Sequence, residues 1–155
     1  MEKTNVMRIL EQKKIQYESH CYADTDAVSG MDVASVLHQS PDQVFKTLVA
    51  VSTSKKYYVF VVPVSRELNL KKAAKAVGEK KIEMLKSKEL QPLTGYVHGG
   101  CSPIGMKKFF HTTIDSGAEM LETIIFSAGK IGYQVELSLP ELRKVISFQL
   151  DDISD

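Results

Sequence analysis

The stretch "TLVAVSTSKKYYVFVVPV", residues 47–64, constrains the fold more than any other part of the chain. Two apolar runs rich in β-branched and aromatic residues flank a short polar turn. That pattern predicts two antiparallel strands joined as a hairpin. The fold must therefore contain a β-sheet that includes this pair.

Shorter elements lie on both sides of the hairpin. Apolar or alanine-rich segments with helical spacing predict helices over residues 4–14, 30–38, 70–78 and near 87–91. Two further helix starts are predicted at Ser40-Pro41 and at Pro140, the second opening "PELRKVI". β-rich segments predict strands over residues 15–22, 111–117, 123–129 and 132–138. This mixture predicts one α+β domain over residues 1–155, built around a mixed sheet.

Composition limits the class of protein. The chain has 155 residues, of which 43% are hydrophobic and 25% are charged, so it can bury a real core and is not predicted to be disordered. It contains no apolar run of about 20 residues and no signal-peptide pattern at its start. Its two cysteines do not make a disulfide framework. A cytoplasmic protein without membrane contact is the expectation.

The net charge of +1 hides an uneven distribution. Residues 71–88 contain seven lysines and two glutamates, whereas residues 136–155 contain five acidic and two basic side chains. A basic segment on a near-neutral protein is typical of a face that meets a polyanion, because lysines neutralise phosphates. The alternative is a helix face that lysines merely keep soluble.

The segment "YVHGGCSPIG", residues 96–105, raises the question of a cysteine nucleophile. A nucleophilic Cys101 needs a histidine within hydrogen-bond distance, and His98 is only three residues away. Cys101 as a small packed side chain is the interpretation that the residues favour. Histidines and cysteines do not occur at zinc-like spacing, and no nucleotide-binding fingerprint is present, so no metal or cofactor is predicted.

The glycines of this segment offer a different chemistry. Gly99, Gly100 and Gly105 allow the backbone to approach a ligand closely and to aim N–H groups at an oxyanion. A second glycine turn, "SAGKIG", could face the first across a pocket, although both turns could serve chain reversal alone. Lys46 lies at the start of an apolar strand, where it could bind a phosphate or polarise an ester, or only protect a sheet edge.

Four motifs in order, "FKTLV", "LKKAAKAVGEKKIEM", "LTGYVHGGCSPIGMKK" and "SAGKIG", closely resemble the YbaK/EbsC family over essentially the whole chain. The family consists of freestanding aminoacyl-tRNA deacylases, best known for removing cysteine from proline tRNA. The resemblance implies an α+β fold with a mixed, barrel-like sheet, related to the editing domain of bacterial prolyl-tRNA synthetases. It also implies the 3′ end of an aminoacyl-tRNA as a partner, and it leaves open whether the tRNA is recognised directly or through prolyl-tRNA synthetase.

The same resemblance assigns roles to individual residues. It implies that the substrate's own thiol attacks the ester carbonyl, so that Cys101 is a bystander. It requires no metal and no cofactor. The catalytic positions that it implies are Lys46, Gly100 and Ser102, and the substrate-binding positions are Tyr22, Gly30, Thr47, Pro103, Gly105, Ser127 and Gly129.

Three positions depart from the family pattern. Ser29 stands where an aromatic residue is frequent, Ile131 where an arginine is usual, and Gln134 where some members have aspartate. These differences leave the amino-acid specificity open. Alanyl- or seryl-tRNA is an alternative substrate, and a tRNA-binding regulator without turnover is an alternative function.

Overall fold

The computed structural model describes residues 2–155 as short helices and strands in alternation. The five α-helices are α1 (Asn5–Gln12), α2 (Gly30–Val36), α3 (Leu70–Ala76), α4 (Ser87–Thr94) and α5 (Leu139–Arg143). The eight strands are β1 (Glu18–Cys21), β2 (Phe45–Ser52), β3 (Tyr57–Pro63), β4 (Ile82–Met84), β5 (His111–Asp115), β6 (Ile124–Ser127), β7 (Tyr133–Leu137) and β8 (Gln149–Asp151). A 3₁₀ helix spans Ser116–Met120.

The strands form two sheets. A five-stranded sheet has the order β4-β2-β3-β5-β8, with β3–β5 and β5–β8 parallel and the other pairs antiparallel. A three-stranded antiparallel sheet has the order β1-β7-β6. The predicted α+β class and the mixed sheet are confirmed. The sheet is not a closed barrel, because the strands described here make two sheets that meet at one bridge, Val44–Ile125.

The predicted hairpin is the central pair of the larger sheet. Val59 and Val61 belong to the main core with α1, β6 and β7, whereas Phe60 and Val62 pack on the opposite face with Ala73 of α3 and its neighbours. Burial on both faces explains why β3 is a continuous apolar run and not an alternating one. The hairpin therefore links both halves of the core.

Side-chain caps fix the starts of several helices. Thr4 Oγ1 accepts the N–H of Met7 at 3.2 Å, and Asn69 caps α3 in the same manner. Ser29 and Asp32 form a capping box at the start of α2. The longest helices have eight residues, so none within residues 2–155 has the length and apolarity needed to cross a bilayer.

Two sequence-based predictions need correction, and two elements were not predicted. The Ser40-Pro41 segment is a turn, because the chain enters β2 at Phe45 immediately afterwards. The first strand covers 18–21 instead of 15–22, since Ile15 is buried beneath α1. The 3₁₀ helix and strand β8 were not predicted, because their short sequences carry no clear periodicity.

The C-terminal segment is built into the larger sheet. The buried carboxylate of Asp115 accepts the N–H of Ile153 at 3.2 Å and the hydroxyl of Ser154 at 2.8 Å. Glu67 and Asp155 exchange two backbone hydrogen bonds. The acidic tail thereby fixes the loop between β3 and α3, which carries Glu67.

Candidate active site

The bridge between the two sheets defines the centre of the site. Ile125 donates its N–H to the carbonyl of Gln43 at 3.0 Å, and the Val44–Ile125 bridge is parallel. Two residues beyond the bridge lie Lys46 in β2 and Ser127 in β6. The strands β2 and β6 belong to different sheets. Lys46 and Ser127 therefore lie just past the point where the two sheets touch.

Lys46 is held loosely. Its side chain is 30% exposed, and its ammonium lies 3.5 Å from the carboxylate of Glu67, which is itself 87% exposed. An exposed ion pair of this kind contributes about 0–1 kcal/mol and is screened by salt. An anionic or ester ligand can therefore displace Glu67 from Lys46 at little cost.

The next residue, Thr47, carries an unsatisfied hydroxyl. Its Oγ1 is buried and has no hydrogen-bond partner among residues 2–155. Leaving a buried polar atom unpaired costs roughly 1–3 kcal/mol. Thr47 follows Lys46 in β2, so its hydroxyl points to the opposite face of the strand, where a bound ligand could add a hydrogen bond.

The two glycine turns are joined by Tyr96. Its hydroxyl donates to the carbonyl of Ile104 at 2.5 Å, and burial raises the pKa of Tyr96 to about 12, so that it stays a donor. A Cβ on Gly105 would lie 2.8 Å from the Tyr96 hydroxyl, and one on Gly129 would lie 3.0 Å from Tyr96 Cε1. The sequence left open whether the two turns face each other across a pocket; in the structure both turns contact the Tyr96 ring. Sequence reasoning missed Tyr96.

A second contact also holds the two turns together. A Cβ on Gly100 would lie 3.2 Å from the backbone nitrogen of Ile131, so a side chain here would require one turn to shift by a few tenths of an ångström. The predicted rim residue Tyr22 donates its N–H to the carbonyl of Gly132 at 2.7 Å. The structure thus brings Tyr22 to the same turn as Gly129.

One of the three backbone donors expected in the first turn is already used. The N–H of Gly100 donates to the carbonyl of Val97 at 3.0 Å, and the Ser102 hydroxyl accepts the N–H of Ile104 at 3.3 Å. In the described part of the chain, the N–H groups of Cys101 and Ser102 donate to no protein acceptor, although both residues are buried. Among the N–H groups of residues 96–105 that have no protein acceptor, these two belong to buried residues, and Pro103 follows them in the buried segment.

The environment of Cys101 does not suit a nucleophile. Its side chain is 7% exposed, and burial raises the pKa of its thiol to about 12. Within residues 2–155, no histidine makes a hydrogen bond to its sulfur. At neutral pH the reactive thiolate is therefore scarce at this position.

Two other residues singled out from the sequence have packing roles. A Cβ on Gly30 would lie 2.4 Å from Val64 Cγ1, so glycine is needed where α2 meets the end of β3. Gln134, buried next to Ser127 in the β6–β7 ladder, forms two amide–amide hydrogen bonds with Gln39, at 2.8 and 3.3 Å. This neutral pair takes the place of the carboxylate that some family members have there.

The fold and this arrangement of residues define a class, the aminoacyl-tRNA editing domains. The family model described as "Aminoacyl-tRNA editing domain" matches residues 25–145, and the chain belongs to that family. The resemblance predicted from the motifs is confirmed, and with it the enzyme class, an aminoacyl-tRNA deacylase.

Individual relatives agree with this assignment. An Enterococcus faecalis protein named "Putative Cys-tRNA(Pro)/Cys-tRNA(Cys) deacylase EbsC" is 44% identical over 154 residues, covering 99% of this chain and 94% of the relative. The solved structure of a "putative trans-editing enzyme for prolyl tRNA synthetase" has a TM-score of 0.83 at 20% identity, with 99% of both chains covered. A hypothetical protein reaches a TM-score of 0.88 at 19% identity over 98% of this chain and 100% of its own. The two structures show the same fold.

The Tyr96 contact predicts different costs for two glycine substitutions. Gly105→Ala and Gly78→Ala both place a side chain at positive φ, +81° and +73°, which costs about 1–2 kcal/mol. Only Gly105→Ala also forces a Cβ against Tyr96, since nothing lies within 4 Å of a Cβ on Gly78. Urea unfolding should show that Gly105→Ala loses at least about 1 kcal/mol more than Gly78→Ala. Equal losses would contradict the role of Tyr96.

The burial of Cys101 predicts that its thiol is dispensable. Cys101→Ala should leave kcat/KM for deacylation within about threefold of wild type, because the loop offers backbone groups and not a thiolate. Cys21→Ala, at an exposed position, is the matched control. A loss of several orders of magnitude, or an acyl-enzyme detected on Cys101 by mass spectrometry, would contradict this interpretation.

Proposed function

We propose that the protein removes cysteine from mischarged proline tRNA, with the substrate's own thiol as the nucleophile. The observation that supports this most directly is the pair of N–H groups at Cys101 and Ser102, which have no acceptor in the described chain and lie in a buried loop packed against the turn after β6. The printed name of the Enterococcus faecalis relative supports the choice of cysteine. Alanyl- and seryl-tRNA are the substrates against which the proposal is tested.

Each part of the site has a task in this reaction. Lys46 binds at the 3′ end of the tRNA and polarises the ester, and the Thr47 hydroxyl donates a hydrogen bond to the bound substrate. The N–H groups of Cys101 and Ser102 stabilise the oxyanion that forms on the ester carbonyl, as pre-aimed donors do in acyl transfer. The tightly packed turns at Gly105 and Gly129 keep these donors in place without reorganisation.

The first chemical step uses only atoms of the substrate. The cysteine sulfur forms a bond to the carbonyl carbon, the bond from that carbon to the tRNA 3′ oxygen breaks, and the thiol proton passes to that oxygen. The products are free tRNA and a cyclic thioester, which water then opens. An activated ester held in the correct orientation needs little further catalysis, because proximity alone is worth several orders of magnitude.

The residues around the loop favour a nucleophile from the substrate. Cys101 has a pKa of about 12, and the Ser102 hydroxyl already serves as an acceptor for Ile104. In the described chain, neither of them has a histidine partner that could activate it.

We also propose that prolyl-tRNA synthetase delivers the tRNA. The printed name of the structural neighbour described above, a "putative trans-editing enzyme for prolyl tRNA synthetase", supports this choice of partner.

Lys46 is the first test of this proposal. Lys46→Ala should lower kcat/KM about a hundredfold, the scale of losing one charge-stabilising donor, and should change stability by less than about 0.5 kcal/mol. Lys56→Ala, at an exposed position in the β2–β3 turn, is the control. Lys46→Arg should also fail, since a planar fork does not replace a point charge in a tight site. Near-normal kcat/KM for Lys46→Ala would mean that Lys46 only protects the edge of the sheet and takes no part in the reaction.

The source of the nucleophile is tested with three substrates. Cysteinyl-tRNA should be hydrolysed far faster than seryl- or S-methylcysteinyl-tRNA, because a free thiol of pKa about 8.5 is partly ionised at neutral pH and a hydroxyl is not. The rate should rise with pH toward that value, since the thiolate is the reactive form. Single-turnover rates between pH 6 and 9 measure this. Comparable rates for the three esters would indicate an attacking water and would contradict the proposal.

A further inference from the structure

We propose that the groove between α3 and β4 binds the phosphate backbone of the tRNA acceptor arm while the 3′ end occupies the candidate active site. This inference rests on the proposed function for the identity of the ligand. It adds a second contact surface, remote from the ester.

The groove is a basic rim over an apolar floor. It is a cavity of about 600 Å³ at the surface, with buried Ala74 and Ile82 among its lining residues. Four lysines surround it: Lys71, Lys75, Lys80 and Lys81. Ammonium groups arranged in this way are point charges suited to phosphate oxygens.

Most of this charge is not neutralised by the protein. Lys71, Lys75 and Lys80 have no carboxylate within 4.0 Å in the described residues, and Lys81 has only the exposed partner Glu83 at 3.5 Å. The one acidic residue of the groove, Glu79, accepts a hydrogen bond from the hydroxyl of Tyr58 at 2.5 Å. That bond raises the pKa of Tyr58 to about 12 and draws the Glu79 carboxylate toward the sheet.

Among the described residues, Lys72 of α3 pairs with protein carboxylates, whereas Lys71 and Lys75 of the same helix do not. Its ammonium lies 3.2 Å from Asp152 and 3.0 Å from Asp155, in the C-terminal segment. The sequence alone presented residues 71–88 as one basic face. The structure divides it, because Lys72 binds the acidic tail whereas Lys71 and Lys75 line the groove.

The position of the groove favours a nucleic acid over an acidic protein surface. Ile82 in β4 pairs with Ser52, six residues along β2 from Lys46, which is a separation of about 20 Å at some 3.3 Å per residue. A polyanion whose 3′ end sits at Lys46 can extend over that distance as a single ligand. Arginine and aromatic residues are missing from the groove lining, so the contact would position the backbone without reading bases.

The test compares two double charge reversals. Lys75→Glu with Lys80→Glu alters the groove, and Lys13→Glu with Lys144→Glu makes the same change of charge at the ends of α1 and α5, outside it. The substrates are full-length cysteinyl-tRNA and cysteinyl-adenosine, which lacks the acceptor arm. Lys75→Gln with Lys80→Gln serves as a milder pair if the reversal unfolds the protein, as judged by circular dichroism.

We expect the groove variant to raise KM for the full tRNA about tenfold and to leave kcat within twofold. The slope of log kcat/KM against log salt should flatten by about one to two, since two phosphate contacts are lost. Cysteinyl-adenosine turnover and the control variant should be unchanged.

Three results would overturn the inference. An unchanged KM and salt slope would mean that tRNA does not touch the groove. An equal loss with cysteinyl-adenosine would indicate damage to the active site instead. A loss seen only in the presence of prolyl-tRNA synthetase would assign the groove to a protein partner. Binding of uncharged tRNA, followed by fluorescence anisotropy, keeps the inference testable even if no deacylation is found.

Discussion

The parallel bridge between Val44 and Ile125 is the contact on which the arrangement of the site depends. It joins the residue before β2 to Ile125 of β6, and the two strands belong to separate sheets. In one continuous sheet, the backbone groups of this region would pair with a neighbouring strand, and its side chains would pack against neighbouring side chains. The separation instead leaves Lys46 loosely paired and the Thr47 hydroxyl without a partner in the described chain.

Tyr96 supplies the second constraint. It stands between the two glycine turns, so the loop with the free N–H groups is fixed to the turn that follows β6. Rigid donors of this type act on a transition state without first reorganising. The proposed reaction therefore relies on geometry and backbone dipoles.

Much of the fold could be predicted from local sequence patterns. The hairpin at 47–64, the caps at Thr4 and Asn69 and the α+β class all follow from short-range chemistry. Strand β8 could not be predicted, because it depends on pairing with β5 and on the buried carboxylate of Asp115, contacts distant in sequence. The division of the strands into two sheets is equally non-local.

The site shows the same contrast. The sequence singled out Lys46 and the glycine loops, and it suggested N–H donors at Gly99, Gly100 and Gly105, but the N–H of Gly100 is used within its own turn. The free donors at Cys101 and Ser102, the Tyr96 ring and the Glu67 partner of Lys46 emerge only from the packed structure. Residue types identify the chemistry, and tertiary contacts decide which groups remain available for it.

The most direct measurement is a crystal structure with a stable amide analogue, 3′-deoxy-3′-(cysteinylamino)adenosine. We predict that its carbonyl oxygen lies about 2.7–3.1 Å from the N–H nitrogen of Cys101 or Ser102, the distance of an oxyanion donor. The analogue's thiol should lie beside its own carbonyl, away from the sulfur of Cys101. A carbonyl bound outside this loop, or one placed in line with the Cys101 sulfur, would contradict the account.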